Sequence, residues 1–479
     1  MRYGSKYVST RKGLKVSAPE AVFQGLAPDG GLYMPEEIEN ERRFPWFESL
    51  GEAEEFVLAR LFYDFPAEVR KEAVKRLESR FPKKNPIPLF QLPFEDQYFF
   101  LELFHGKTGA FKDVALSMLP VFMRYAANGR RVMVLTATSG DTGSAAMQGF
   151  AGVEGTEVVV LYPNVGTSEI QRLQMTTPSA PNVHAIAING NFDDAQAAVK
   201  RIFADPAMNA EAAARGIALT SANSINAGRL IPQIGYYLLM GIKLIWKYGT
   251  PYLTCSQSQS IALAVPSGNF GNILAAYYAK LMGMPIGKLI CASNVNDVLA
   301  RFVKTGIYEP GDKFTVTNSP SMDIRKSSNV ERLLWLLNDG DCDEVSRLMN
   351  DLATKGRYEL NDKAKEKLFN DFDGGVATPE ETEGEMRRLY HQGYLADPHT
   401  AVASFVAHKL GYPKGRGPVV VAATATPYKF PETCMRAFGK NVLTNPPPAF
   451  RELKSLPITQ TKVVDVAGID DAIREIMAK

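Results

Sequence analysis

The chain has 479 residues, of which 45% are hydrophobic and 22% are charged, so it can bury more than one core. The 54 Lys and Arg residues nearly balance the 52 Asp and Glu residues, and the formal net charge is +2. This balance excludes the extended basic surface that a nucleic-acid-binding protein needs, and the length indicates roughly two to four domains.

The amino-terminal region, up to about residue 91, is predicted to be mostly helical, with amphipathic periodicity over residues 47–63 and 66–81. The first 16 residues are basic, contain serine and lack acidic residues, as transit peptides do. They develop neither an amphipathic arginine face nor the apolar core of a secretory signal. We therefore expect a cytoplasmic protein.

From residue 96 onward, short apolar runs alternate with helical segments. Strands that are apolar on both faces are typical of parallel sheets covered by helices, which predicts an α/β fold of three-layer domains. The predicted helices include residues 192–203, 272–282 and 295–305. The predicted strands are residues 132–136, 157–162, 183–188, 217–220, 261–266, 289–292 and 419–423.

Two further segments complete the predicted organisation. The apolar run 230–246 is interrupted by Pro232, Gln233 and Lys243, which favours a buried helix over a membrane span. Between residues 331 and 392 the strand signal disappears and charged helices, such as 343–354 and 362–370, take over. The predicted domains are a helical region 1–95, an α/β domain 96–225, a large α/β domain 226–330 with 393–479, and a helical insertion 331–392.

The four cysteines form no CxxC pair and have no histidines at metal-ligand spacing, so the sequence predicts no metal site. We expect buried thiols in a reducing compartment. The cysteines are Cys255, Cys291, Cys342 and Cys434.

Lys112 stands out among the lysines because it follows a glycine-punctuated turn, within residues 104–116, at a predicted helix start. An amine in this position can form an imine with an aldehyde cofactor and later act as a base. Two glycine-rich turns follow predicted strands, at residues 138–145 and 266–272. Such turns can hold a carboxylate or a phosphate at a helix amino terminus, although they also occur as plain connectors.

The combination resembles the threonine synthase family, pyridoxal-phosphate enzymes of the tryptophan-synthase-β fold type. The motifs that carry the resemblance occur in family order over nearly the whole chain. They are YVSTR (7–11), GLAPDGGLYMPE (25–36), FHGKTGAFKD (104–113), ATSGDTGSA (137–145), NSINAGR (223–229), SGNFGN (267–272), SPSMDI (319–324), DPHTAV (397–402) and TATPYKF (424–430).

This resemblance implies that Lys112 carries pyridoxal phosphate and that Thr424 contacts its pyridine nitrogen, which a hydroxyl can do without adding charge. It implies that the cofactor phosphate binds Gly268, Asn269, Phe270, Gly271 and Asn272. The substrate carboxylate would bind the turn Ser139, Gly140, Asp141 and Thr142, chiefly through backbone N–H groups. We expect the Asp141 side chain to cap the helix rather than to point away, because its charge would otherwise repel the substrate.

The resemblance also implies a second phosphate site, on the substrate, formed by Asn223, Ser224 and Arg229, where a guanidinium suits phosphate geometry. The expected reaction converts O-phosphohomoserine and water to threonine and phosphate. The chain departs from the family pattern at Lys107 and Thr426, where proline and histidine are common.

Several points stay open at this stage. A dehydratase of the same fold would lack the substrate-phosphate site, and a non-catalytic threonine-synthase-like protein would bind ligands only. Ser168 and Gln171 are explained as a helix capping box, and His105 and His399 are equally compatible with structural and active-site positions. The sequence does not distinguish a monomer from a dimer.

Overall fold

The computed structural model describes residues 6–41, 43–249, 259–311, 314–415 and 417–478. Within these ranges no helix combines the length and apolar character needed to cross a bilayer. Cys291 and Cys434 are buried free thiols and Cys342 is a half-buried one, whereas Cys255 lies outside the described residues. The prediction of buried thiols was therefore wrong for Cys342, whose Sγ is near the surface beside the Ser9 carbonyl.

The amino-terminal region combines a small antiparallel sheet with three helices. The strands are β1 (Tyr7–Ser9), β2 (Lys15–Val16) and β3 (Tyr33–Pro35), in the order β2-β1-β3. The helices are α1 (Ala18–Gln24), α2 (Leu50–Leu61) and α3 (Ala67–Glu78). A reciprocal capping box of Ser17 and Glu20 sets the start of α1. The prediction of a mostly helical region missed this sheet, because strands of two and three residues give no period-2 pattern.

The remaining strands form two large sheets and one small sheet of two antiparallel strands. In chain order they are β4 (Leu89–Gln91), β5 (Tyr98–Glu102), β6 (Arg131–Ala137), β7 (Thr156–Pro163), β8 (Val183–Asn189), β9 (Ile217–Ser221), β10 (Ile261–Pro266), β11 (Ile286–Ser293), β12 (Ile307–Tyr308), β13 (Tyr358–Glu359), β14 (Phe372–Val376), β15 (Val419–Ala423) and β16 (Lys462–Asp465).

The remaining helices include those that pack against the two large sheets. In chain order they are α4 (Lys112–Ala127), α5 (Asp141–Phe150), α6 (Glu169–Thr176), α7 (Phe192–Ala204), α8 (Pro206–Ala214), α9 (Ala227–Leu230), α10 (Gln233–Tyr248), α11 (Gly271–Leu281), α12 (Val298–Thr305), α13 (Val330–Leu337), α14 (Cys342–Lys355), α15 (Asp362–Asp371), α16 (Pro379–His391), α17 (Pro398–Lys409), α18 (Pro431–Phe438), α19 (Pro448–Arg451) and α20 (Ile469–Met477).

The larger sheet has the order β14-β11-β10-β15-β5-β4, and only the edge strand β4 is antiparallel to its neighbour. Every residue of β10 and β15 is buried. Helix α17 packs against β10, β11 and β15, and α11 also packs against β11. Apolar strands covered by helices are what a buried parallel sheet requires.

The smaller sheet has the order β16-β8-β7-β6-β9, and all of its neighbouring strands are parallel. Helices α5 and α7 both pack against it, and α20 shares an apolar cluster with α7. The predicted α/β fold with parallel sheets is confirmed. All seven predicted strands are present with ends shifted by at most three residues, as at β11.

Strand pairing departs from the predicted domain boundaries at four places. Strand β4 lies within the predicted helical region 1–95 but pairs with β5 of the larger sheet. Strand β14 lies within the predicted helical insertion but pairs with β11 of the larger sheet. Strand β5 belongs to the larger sheet and β16 to the smaller one, opposite to the predicted division. The sequence FDGGV of β14 contains an aspartate and two glycines, so its apolar signal is weak. The glycine at position 374 instead lets the strand pack closely against Val303, because a Cβ on Gly374 would lie 2.5 Å from that side chain.

Candidate active site

Lys112 is the first residue of α4 and lies at the carboxyl ends of β5 and β15. The N–H of Phe111 donates to the Thr424 carbonyl at 2.8 Å, and Ala110 pairs with Ala425. Gly109 permits this contact, because it has φ of +72° and a Cβ there would lie 2.6 Å from Phe450. The structure therefore brings the predicted cofactor residues Lys112 and Thr424 together.

Asp141 contacts Lys112 directly. Its Oδ2 accepts hydrogen bonds from Lys112 Nζ and Ser321 Oγ, both at 3.2 Å. Its Oδ1 accepts from Gln171 Nε2 and Lys429 Nζ, both at 2.9 Å. The expectation that Asp141 caps the helix was wrong: α5 begins at Asp141 itself and has no side-chain cap. The carboxylate instead binds four donors from other elements.

Lys429 is a site residue that the sequence analysis missed. Its side chain is 0% exposed, and Nζ donates to the Thr108 carbonyl at 2.9 Å and to Gln174 Oε1 at 3.0 Å as well as to Asp141. An ammonium group has three protons, so all of them have acceptors. The motif TATPYKF contained this lysine, but nothing in the motif indicated its partner.

Burial and the neighbouring charges shift the pKa values of both Lys112 and Asp141. Burial lowers the pKa of Lys112; the Asp141 carboxylate opposes this shift, and the positive charges of Lys429 and Arg229 reinforce it. Burial by itself would raise the pKa of Asp141, but Lys429 and Lys112 hold it well below its ordinary value. Asp141 is therefore ionised, whereas Lys112 is biased toward its neutral form.

The predicted substrate-carboxylate turn is only partly available to a ligand. The hydroxyl of Thr138 accepts the N–H groups of Gly140 and Gly143, at 2.9 and 3.0 Å. Asp141 and Thr142 lie in the first turn of α5, where amides have no acceptor within the helix. These two amides fit the predicted role, the Gly140 amide does not, and Ser139 lies half-buried beside them.

The predicted cofactor-phosphate loop connects β10 to α11. The carbonyl of Gly268 accepts from Ser327 Oγ at 2.9 Å, and that of Asn269 accepts from Asn329 Nδ2 at 2.9 Å. Phe270 has φ of +62°, a left-handed conformation that is strained for a residue with a Cβ. Helix α11 begins directly after Phe270, at Gly271. The amides in the first turn of α11 have no acceptor within the helix, so they can bind an anion.

Asn272 follows in the same turn. Its Oδ1 accepts from the Tyr237 hydroxyl, while its Nδ2 is buried without a hydrogen-bond partner among the described residues. A buried donor without a partner is costly unless a ligand satisfies it. The loop geometry and this donor fit the phosphate of a pyridoxal cofactor.

Arg229 lies in α9 and is 2% exposed. Its Nη1 donates to the Ala222 carbonyl at 2.6 Å, but its Nε has no partner and no carboxylate of the described chain forms an ion pair with it. Burial lowers its pKa to about 10. Asn223 Oδ1, in the same segment, is also buried without a partner. A buried guanidinium without a counter-ion fits an anionic ligand.

Arg332 is a second residue missed by the sequence analysis, and it connects the two predicted anion sites. Its guanidinium donates to the carbonyls of Ser224 at 3.5 Å and Ile225 at 2.5 Å, and to Asn329 Oδ1. Asn329 in turn holds the Asn269 carbonyl. The Ser224 carbonyl thus makes a backbone contact that positions its segment, and the predicted contact of Ser224 with the substrate phosphate stays a prediction. Arginines in apolar helices look alike in sequence, so no signal marked this one.

His399, which the sequence left undecided, is 2% exposed and positions Ser321. Its Nδ1 lies 2.6 Å from Asp397 Oδ2, and its Nε2 accepts the Ser321 N–H at 3.1 Å. The carbonyl of Ser321 would lie 2.7 Å from a Cβ on Gly268. His105 instead pairs with Glu102 on the partly exposed side of the turn. Gln171 forms the predicted capping box with Ser168 and also contacts Asp141.

Comparisons with known proteins agree with this geometry. Residues 82–363 match the family of pyridoxal-phosphate dependent enzymes, residues 6–48 match the threonine synthase N terminus, and residues 400–474 match the threonine synthase C-terminal family. Threonine synthase from Saccharomyces cerevisiae is 35% identical over 99% of this chain and 98% of its own length.

Two further relatives extend the comparison. The crystal structure of PLP-bound threonine synthase from Brucella melitensis superposes with a TM-score of 0.89 at 36% identity, covering 99% of this chain and 100% of that one. Human threonine synthase-like 1 is 38% identical over 88% of this chain, which spans 58% of that relative. The chain belongs to the threonine synthase family of pyridoxal-phosphate-dependent enzymes.

Proposed function

We propose that this protein is a threonine synthase that converts O-phosphohomoserine and water to threonine and phosphate. The observation that carries the proposal is Arg229, a buried guanidinium near Lys112 that has no counter-ion among the described residues. A dehydratase of the same fold needs one phosphate site, for the cofactor. A synthase needs a second one, for the substrate, and the unpaired Nε of the buried Arg229 guanidinium supports it.

Pyridoxal phosphate, when bound, supplies an electron sink that stabilises negative charge developing on the substrate. Lys112 would hold the cofactor, with Thr424 at the pyridine nitrogen and the loop Gly268, Asn269, Phe270, Gly271 and Asn272 at the phosphate. The free amide of Asn272 and the first turn of α11 support this assignment.

Lys112 would move the protons. Its amine removes the Cα proton of the substrate and then a Cβ proton, and a base of this kind works best with a pKa near the working pH. The lowered pKa of Lys112 supports that role. The amides of Asp141 and Thr142 would hold the substrate carboxylate in position.

The last steps of the reaction are the departure of phosphate and the addition of water. Arg229, Asn223 and Ser224 would hold the substrate phosphate, so that the charge accumulating on the leaving group meets a fixed positive charge. Phosphate leaves Cγ, and water adds at Cβ. The Cβ–H and Cγ–O bonds are replaced by Cβ–OH and Cγ–H bonds, and the second proton of the water leaves with the phosphate, which balances the net conversion. The reduced thiols Cys291, Cys342 and Cys434 support the further proposal of a cytoplasmic location.

The test is to offer O-phosphohomoserine, serine and threonine to the purified protein in parallel and to measure phosphate, threonine and keto acid. We expect phosphate and threonine in equal amounts from the phosphorylated substrate. Keto acid from serine without reaction on O-phosphohomoserine would identify a dehydratase. Cofactor binding without any product would identify a ligand-binding relative.

A further inference from the structure

The ion pair between Lys429 and Asp141 is buried on both sides. Lys429 is 0% exposed and all three of its protons have acceptors, one of which is Asp141 Oδ1 at 2.9 Å. The other oxygen of the same carboxylate contacts Lys112 Nζ at 3.2 Å. The Asp141 carboxylate therefore lies between the side-chain nitrogens of Lys112 and Lys429. Only Lys112 belongs to the reacting centre.

The position of Asp141 creates a problem for a lysine that must act as a base. A carboxylate 3.2 Å from an amine stabilises the protonated form, which cannot accept a proton. A second positive charge on the far side of the carboxylate opposes this effect. It also satisfies the carboxylate, so that Asp141 does not depend on Lys112 for a partner.

We propose that Lys429 is a positioning residue that neutralises Asp141, so that Lys112 remains available as an uncharged amine. Gln171 and Ser321 complete the arrangement by donating to the two carboxylate oxygens. The carboxylate thus keeps its orientation whether or not Lys112 is bound to another group. This inference rests on the proposed function for its catalytic meaning, but its electrostatic content is independent of turnover.

Other charged groups face the cluster from each neighbouring element. Arg229 on α9 adds positive charge near Lys112, in the same direction as Lys429. Asp113 on α4 lies near Lys429 but is bound by the N–H and hydroxyl of Thr108, at 2.8 and 2.7 Å. His399 on α17 acts on Asp141 only through Ser321. Lys429 is the cation in direct contact with Asp141 from outside the reacting centre.

The test measures the protonation of Lys112 itself. The full-length protein, with cofactor removed, is pulse-labelled with acetic anhydride across a pH series, and acetylation of the Lys112 peptide is followed by mass spectrometry. We expect Lys429→Met to raise the labelling midpoint of Lys112 by about one to two pH units, the size expected for losing a like charge in a partly shielded site. In a plot of kcat against pH, the acidic limb should also move to higher pH.

Paired variants separate electrostatics from folding. Asp141→Asn should lower the midpoint, and the double variant D141N/K429M should return it close to the wild-type value, because both charges are removed together. Lys243→Met serves as the control: Lys243 is a partly buried lysine bound to Asn85 and the Ile87 carbonyl, away from the site. It should leave the Lys112 midpoint unchanged.

An unchanged or lowered midpoint in Lys429→Met would overturn the proposal. If that variant does not fold, the comparison of Asp141→Asn with D141N/K429M decides the question, and equal midpoints in those two proteins would also overturn it. Labelling requires no turnover. A protein that shows the midpoint shifts but makes no threonine would therefore contradict the proposed function and leave the electrostatic inference standing.

Discussion

Replacing Arg229 by Met should weaken catalysis while leaving the fold as stable as before or more stable. The two effects have opposite signs because Arg229 is buried and has no counter-ion in the part of the chain that the structure describes. In the free protein the guanidinium is a cost, and with a phosphorylated substrate it becomes a binding group. A residue with a purely structural role would show the reverse pattern, losing stability first.

The stability change follows from the pKa of Arg229, which burial lowers from its ordinary value to about 10. A depressed folded-state pKa means that the charged form destabilises the folded protein at all pH values below it, so the cost of about 3 kcal/mol is fully present at pH 7. Loss of the hydrogen bond to the Ala222 carbonyl would cost about 1–3 kcal/mol. The net change should lie between zero and a gain of about 2 kcal/mol.

The catalytic change should be larger and unfavourable. Losing charge-assisted hydrogen bonds to a phosphate corresponds to about 2–4 kcal/mol, or a decrease in kcat/KM of roughly 30- to 1000-fold. The assay follows phosphate release from O-phosphohomoserine at pH 7.5, together with thermal unfolding with and without added inorganic phosphate. Phosphate should raise the Tm of the wild type more than that of Arg229→Met.

Arg80→Met is the matched control. Burial also lowers the pKa of Arg80 to about 10, and its guanidinium donates to the Gln148 carbonyl at 2.6 Å. This variant should change stability in the same direction but by less, because Arg80 is only half-buried and solvent screens its charge, and it should leave kcat/KM unaltered. A fully active Arg229→Met, or one with the wild-type response to phosphate, would refute the substrate-phosphate site.

Three other changes test separate parts of the structure. Lys112→Ala should give a colourless protein without turnover, and a borohydride-reduced cofactor mapped to any other lysine would contradict its role. Gly268→Ala should weaken cofactor retention on dialysis, because its Cβ would lie 2.7 Å from the Ser321 carbonyl; Gly384→Ala, with its nearest neighbour at 4.0 Å, should retain it. Glu54→Met should stabilise the protein by about 1–3 kcal/mol, because both Glu54 oxygens are buried without partners and burial raises its pKa well above the ordinary value. Since a raised carboxyl pKa destabilises the folded state only above the unfolded pKa, the Tm gain should grow from pH 4 to pH 8, and a constant gain would refute this explanation.

The sequence by itself determined the elements that carry continuous local signals. Strands β10 and β15 are apolar throughout, and β6, β7 and β8 each contain a continuous apolar run, so their burial on both faces could be predicted without knowing their neighbours. The glycine-rich turns after β6 and β10 place helix amino termini at the same edge of the fold. The order of the motifs along the chain then predicted that Lys112, near these turns, carries the cofactor.

Tertiary structure decided what each charged or weakly apolar segment contacts. Strand β14 has too little apolar character to be predicted, and it exists because β11 supplies its hydrogen bonds. Lys429 reads as an ordinary lysine in sequence, yet packing places it in contact with Asp141 and excludes water from it. The physical reason is that hydrophobic periodicity is a property of neighbouring residues along the chain, whereas the partner of a buried charge is fixed only when distant elements pack together.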